Sequence, residues 1–378
     1  MPILDLFRFI AASLVLLAHY KYVFGIEVIW EGFAPSALSW FFVVSGFILS
    51  YRYPQLHRAE LKKFYLFRLI RIYPIYLFAV LISSLFIIIG YSLFEQAFLT
   101  MLGRTVMSTY DLPTEISTGL WIEAIVKHLL FIQLWSDTET LKFLLNPPLW
   151  SLANEMFFYL CFPLLLLFTN KLTRISYIII ALVLVYGLQY LLIQAFLPNT
   201  NHVDWFNINT PVYTNPLIRL VEFMIGMILY QAYRQSKTGN NWFASYPLLV
   251  FVIVLYVGIL YINLSMPIQY TMFWLSLPVI TLMVYILTQV NWQPEGKLRR
   301  ISILSGGASY VMYALHWPFM EMCHFLGFTP DGFMLFFHIT CLYILMVVLS
   351  FAIHIWLEKP LRVFILYNFK TTEKSQSN

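Results

Sequence analysis

Ten apolar runs, at about residues 3–24, 34–51, 68–90, 150–168, 175–197, 217–233, 246–262, 271–290, 303–326 and 333–357, leave this chain little choice of fold. A helix needs about 20 apolar residues to cross the roughly 30 Å of bilayer hydrocarbon. No water is present there to satisfy backbone N–H and C=O groups, so long apolar runs must satisfy them internally as helices. The composition agrees: charged residues make up 11% of the chain, against about 25% in soluble domains. The expected fold is therefore all-α, a polytopic membrane protein with about ten transmembrane helices. The 34 Phe, 25 Tyr and 11 Trp suit lipid-facing surfaces and interfacial belts.

The net charge of +5 sits in short loops rather than on one patch, so it reports topology and not nucleic-acid binding. Arg52, Arg58, Lys62 and Lys63 follow the second run, with Arg68 and Arg71 just inside the third. Further clusters are Lys171 with Arg174, Arg234 with Lys237, Lys297 with Arg299 and Arg300, and the segment from Lys359 to Lys374. The loops 198–216 and 263–270 contain no Lys or Arg apart from the span edges. The positive-inside rule places every basic cluster in the cytoplasm only if the weaker apolar segment 121–136, which holds Glu123, Lys127 and His128, does not cross. That gives ten spans, both termini cytoplasmic, a membrane domain over 1–358 and a cytoplasmic tail over 359–378. The first run has no cleavage site and is expected to stay. Cys161, Cys323 and Cys341 lie in apolar segments without CxxC spacing, so neither a disulfide framework nor a zinc site is indicated, and no metal is expected.

The first run, LDLFRFIAASLVLLAHY, carries Asp5, Arg8 and His19. Ionisable groups are costly inside a bilayer and tend to line pathways. Eleven residues turn a helix about 20° past three full turns, so Arg8 and His19 share a face, about 16 Å apart along the axis. Asp5, one turn before Arg8, is placed to pair with it. The plainer reading has Arg8 and His19 reaching to opposite headgroup layers. Both on one face favours a water-accessible cavity.

Other groups fall at the same two levels. PPLWSLANEMFFYL carries Trp150, Ser151 and Glu155, and ASYVMYALHWPFM carries His316 and Trp317 beside Pro318, which frees a carbonyl one turn back. The topology puts His19, Glu155 and His316 near the outer face, where a carboxylate beside an imidazole would raise its basicity and set its tautomer. The alternatives are an interfacial carboxylate for Glu155 and a packing histidine for His316. At the inner level, FYLFRLIRIYPIYL places Arg68 and Arg71 one turn apart, a pair suited to gripping phosphate or, more plainly, a basic collar. Ser45 and Gly46, and Gly306 and Gly307, read as sites of close helix approach. Arg219 and Glu222 read as a structural i,i+3 pair. No GxSxG, Walker, HExxH or GxGxxG pattern appears.

Taken together, LDLFRFIAASLVLLAHY, FFVVSGFILSYRY, FYLFRLIRIYPIYL, WSLANEMFFYL, SYVMYALHWP and LEKPLR resemble the acyltransferase-3 family of bacterial inner-membrane O-acyltransferases, in order and over nearly the whole chain. The chain departs from the family pattern at Leu6 and Phe9, and at Asn154, Met156 and Phe157 around Glu155. The resemblance implies a stand-alone enzyme of the bacterial inner membrane, without an appended esterase-like domain. It implies transfer of an acyl group, most often acetyl, from cytoplasmic acetyl-CoA as cosubstrate to a hydroxyl of an extracytoplasmic saccharide such as an O-antigen of lipopolysaccharide, an exopolysaccharide or a capsule repeat. The partners are then acyl-CoA, a saccharide or lipid-linked saccharide and membrane lipids. On this reading His19, Glu155 and Arg8 are catalytic; Arg68, Arg71 and Asp5 serve the donor; and Trp150, Ser151, His316 and Trp317 line the acceptor side. Intramembrane Arg, His and Glu also suit a proton-coupled transporter, although no pair of matching Gly- or Pro-broken helices marks an inverted repeat. A third reading is a non-enzymatic partner in polysaccharide export, for which His19 would be dispensable.

Overall fold

The computed structural model describes residues 1–24, 33–106, 117–196, 212–236, 242–262, 270–327 and 332–376. Among them every regular element is helical. The helices are α1 (Pro2–Phe24), α2 (Phe33–Arg52), α3 (Leu61–Val106), α4 (Thr118–Leu129), α5 (Glu139–Phe143), α6 (Trp150–Thr169), α7 (Ile175–Phe196), α8 (Pro216–Ser236), α9 (Tyr246–Ile262), α10 (Leu277–Gln289), α11 (Gly296–Phe325), α12 (Gly332–Ile353) and α13 (Lys359–Gln376). A π-helical turn, Tyr270–Ser276, leads into α10, and another, His354–Glu358, joins α12 to α13. Most of loops 198–216 and 263–270, and Lys237, lie outside the described residues.

Each of the ten apolar runs is helical. Six helical stretches among the described residues are long and apolar enough to cross a bilayer: Pro2–Tyr20, Ala34–Arg52, Arg58–Phe94, Pro147–Thr169, Ile175–Phe196 and Met334–Asn368. The shorter helices Tyr246–Tyr261 and Phe273–Gln289 are also apolar. α8 and α11 fall outside both groups because they sit in the middle of the bundle. α11 packs most extensively on α1, and α8 on α2. Helices surrounded by protein need not be apolar all round, and these two carry buried Arg219, Glu222, His316 and Glu321.

The α2–α8 contact is set by two glycines. A Cβ on Gly46 would meet the Phe223 carbonyl, and one on Gly226 would meet the Val43 carbonyl. The backbones therefore touch where hydrogen is the largest substituent that fits. Gly46 had been legible as a close-approach site; Gly226, its counterpart, had not.

Segment 121–136 is not among the described stretches long and apolar enough to cross a bilayer. α4 has 12 residues, about 18 Å of helix, and is followed by a turn with Phe131 at φ 59° and a 3-10 turn, Gln133–Trp135. Ser117 caps its start by accepting from the Leu120 amide, 3.2 Å. One face carries the Lys127–Glu123 ion pair, 2.8 Å, and the other buries Ala124 and His128. The segment 359–376, expected as a tail, is the helix α13, and it packs against α3.

Candidate functional site

At one end of α1, His19 meets His316 of α11. His19 Nδ1 lies 2.7 Å from His316 Nε2, and the rings are nearly parallel, 4.9 Å between centroids. His316 Nδ1 lies 2.8 Å from the Tyr313 carbonyl and 3.1 Å from that of Met312. Carbonyls only accept, so Nδ1 of His316 carries the hydrogen and its Nε2 offers a lone pair in the neutral ring. His19 Nδ1 is then the donor between the rings, and the remaining lone pair of His19 is on Nε2. Two backbone carbonyls thus fix the tautomer of two histidines in series. Trp317 stands edge-on to His19 at 5.1 Å, and its indole N–H is buried with no hydrogen-bond partner among the described residues. Pro318 leaves the Ala314 carbonyl without an amide, and Asn146 takes it, Nδ2 to O 3.1 Å.

At the other end, Arg8 opens on a cavity of about 540 Å³ that is also lined by Asp5, Arg68, Arg71, Glu155 and Tyr159. Asp5 pairs with the Met1 ammonium, 3.9 Å, rather than with Arg8. A Cβ on Gly306 would come within 2.6 Å of the Asp5 carboxylate, so that glycine makes room for it. Arg68 lies between the rings of Tyr53 and Tyr159, 5.4 and 5.7 Å from their centroids. Arg71 faces the buried carboxylate of Glu358 at 3.7 Å. Arg8 makes no hydrogen bond among the described residues, and it shares the cavity wall with Arg71, Glu155, Asp5 and Tyr159.

Glu155 differs from expectation. It accepts hydrogen bonds from Ser45, 3.1 Å, and from Tyr159, one turn along α6. The structure therefore joins it to the Arg8 end and does not bring it to His19. The reason is depth: Glu155, five residues into α6, lies level with Arg8 and Ser45 and not with His19. Ser45, read as packing, is its ligand. Tyr159 could have been found by its i,i+4 spacing from Glu155.

Arg8, Ser45 and Glu155 also line a second, narrower space of about 40 Å³, walled by Ser151, Phe41, Phe42, Tyr310 and Tyr313. Ser151 donates to the Tyr313 hydroxyl, 2.6 Å, which donates to the Pro148 carbonyl, 2.9 Å. The Tyr313 ring is 5.8 Å from that of His316. A continuous line of side chains thus runs from the wide cavity past Arg8 and Glu155 to Tyr313, His316 and His19.

Trp150 is buried, with its ring against Tyr213 and Phe42 and the Arg219 guanidinium 5.5 Å from its centroid. Its surfaces are thus taken by protein rather than presented for stacking on a sugar. Arg219 and Glu222 are wholly buried, 2.7 Å apart. Arg219 donates to the Tyr213 carbonyl, 2.6 Å, and Ser39, 3.2 Å, inside a ring of four aromatic side chains. Asn154 ties the same region down by donating to the Thr214 carbonyl, 3.2 Å.

The model of the acyltransferase-3 family, described as an acyltransferase domain, matches residues 1–355. The chain belongs to the acyltransferase-3 family. The family match supports an acyltransferase domain, and the long apolar helices are those of a membrane protein. One relative is the acyltransferase MdmB of Streptomyces mycarofaciens, 32% identical over 128 residues, which are 34% of this chain and 27% of that protein. The chain thus spans only about a quarter of the length of this relative. No solved structure matches.

Proposed function

We propose that this acyltransferase-3 protein is an enzyme of the bacterial inner membrane, with the Arg8 end facing the cytoplasm and the His19 end facing out. It moves an acetyl group from acetyl-CoA to a hydroxyl of an extracytoplasmic saccharide. The observation that carries this reading is the line from a basic cavity at Arg8, through a narrow throat at Glu155 and Tyr313, to a paired histidine whose lone pair is directed by the fold. The basic end suits a phosphate-bearing donor. The throat suits a thin, flexible thioester arm. The far end holds a base.

In this reading His19 Nε2 takes the proton of the acceptor hydroxyl as its oxygen attacks the thioester carbonyl. The C–S bond breaks as the new C–O bond forms, and the thiolate is the leaving group. The charge that appears on His19 is supported through Nδ1–H to His316 Nε2, and through His316 Nδ1–H to two carbonyls, the part a carboxylate plays in a Ser-His-Asp triad. Trp317, with an N–H to spare beside His19, suits a sugar oxygen or the carbonyl oxygen. Arg8 and Glu155, at the throat, suit the polar amides of the arm. Arg68 and Arg71 suit the phosphates. Attack by His19 Nε2 itself, giving a transient acyl-histidine, uses the same geometry.

The test is an assay of purified protein in liposomes, with labelled acetyl-CoA on one side and saccharide acceptor on the other. His19→Ala is expected to lower transfer at least about 100-fold while leaving CoA binding intact, because general-base catalysis contributes about that much. His316→Ala, which removes support but not the base, is expected to cost less. Wild-type transfer by His19→Ala would overturn the reading.

A further inference from the structure

LEKPLR, the last stretch that carries the family resemblance, has no part in the mechanism above. In the structure it returns to the cavity at the Arg8 end. His354 is seated on Gly307, where any Cβ would strike the imidazole ring. From there its Nδ1 donates to Glu358 Oε2, 2.6 Å. The other oxygen of Glu358, Oε1, faces Arg71 Nη1 at 3.7 Å and Arg362 Nη1 at 3.4 Å. One wholly buried carboxylate therefore holds an arginine of α3 beside an arginine of α13. Alone, two guanidiniums would repel each other. Held this way, each still lines the cavity and remains partly exposed, 24% for Arg71 and 30% for Arg362.

Lys359 lines the same cavity. With Arg8, Arg52, Arg68, Arg71 and Arg362 it makes six cationic side chains, against three carboxylates, Asp5 and Glu155 in the wall and Glu358 behind Arg71 and Arg362. Such an excess is matched by a ligand with several phosphates, since one phosphate monoester alone carries about −1.5 to −2 charges. The volume, about 540 Å³, is within the range of roughly 300–1,000 Å³ usual for small-molecule sites.

We propose that Lys359 and Arg362 bind the phosphate groups of the CoA donor, with Glu358 as the positioning residue that sets Arg362 and Arg71 for them. This rests on the donor reading above. An anionic lipid headgroup offers the same phosphate chemistry, so the experiment separates the two sources.

The full chain is purified in detergent and in nanodiscs of neutral or of anionic lipid, and CoA and pantetheine, which lacks phosphate, are titrated by calorimetry. The variants are Lys359→Ala, Arg362→Ala, Arg362→Lys and Arg68→Ala. Arg234→Ala, whose arginine bonds Gln231 away from this cavity, is the control. Lys359→Ala and Arg362→Ala are each expected to weaken CoA about tenfold, the worth of one charge-assisted contact. Arg362→Lys should fall between, and pantetheine binding should not change. Lys359 is exposed, so its truncation leaves folding intact and decides the matter where Arg362→Ala does not fold. CoA affinity unchanged in Lys359→Ala, while Arg68→Ala loses it, overturns this proposal and leaves the donor reading standing. A loss that appears only in anionic nanodiscs assigns the cations to headgroups and overturns it as well. Wild-type protein that does not bind CoA overturns the donor reading itself.

Discussion

Glu155 shows how a residue's level in the bundle sets its chemistry. A carboxylate on His19 would make the imidazole a stronger base; a carboxylate between Ser45, Tyr159 and Arg8 shapes a throat instead. Glu155→Gln preserves size and still accepts from both hydroxyls. Because no carboxylate leaves the histidine pair, the pH–activity midpoint set by His19 should stay where it is, while the acyl-CoA KM moves. A pH–rate profile of the variant checks this. A displaced midpoint with unchanged KM would return Glu155 to the His19 side. In the histidine pair, Tyr313 and Met312, one turn before His316, contribute backbone carbonyls, and those fix which nitrogen of His19 is basic.

At the scale of elements, the α2–α8 contact is a reciprocal fit of two glycines against two carbonyls. Gly46→Ala should force the backbones apart and cost about 1–3 kcal/mol, the usual price of overpacking. Gly226→Ala should do the same. Together they should cost clearly less than the two added, because the first substitution already opens the gap that the second needs. Thermal unfolding of the three variants in one detergent measures this, and strict additivity would mean that the two sites do not share the contact. α4 offers a pH-dependent case outside the spans. Its His128 is buried and donates Nδ1–H to the Ala124 carbonyl, 2.8 Å, and burial pushes its pKa down from 6.5 to about 4. The folded value is below the unfolded one, so docking of α4 is at full strength above pH 6.5 and is lost as pH falls toward 4. The loss reaches about 3 kcal/mol. Maleimide labelling of Ala124→Cys, taken as a ratio to exposed Thr138→Cys at each pH, should rise over that window. A flat ratio would show that α4 stays docked with His128 charged.

For the whole molecule, the disposition across the bilayer follows from which segments cross. α4 and the turns after it are too short, so residues 117 and 138, on either side, should lie on one face of the membrane. Membrane-impermeant labelling of Ser117→Cys and Thr138→Cys, both exposed, should modify both or neither from a given side. Labelling from opposite sides would add a span and reverse every later helix.

Hydrophobic run length alone determined that this chain is a helical membrane protein, because the bilayer core admits no other backbone solution for such runs. The 100° step per residue determined that Arg8 and His19 share one face of α1 and lie at two depths. Both are properties of a single helix, so one segment of sequence contains them. What only the tertiary structure decided was which groups from different helices meet. His316 comes to His19 from 297 residues away, and Glu358 comes to Arg71 across most of the chain. Glu155 goes to Ser45 and Tyr159, and Trp150 is enclosed by Arg219. Those outcomes depend on how the helices pack against one another, with close approaches at glycines such as Gly307 beneath His354 among the contacts that seat them. Such forces act between elements, and the periodicity of any one element does not record them.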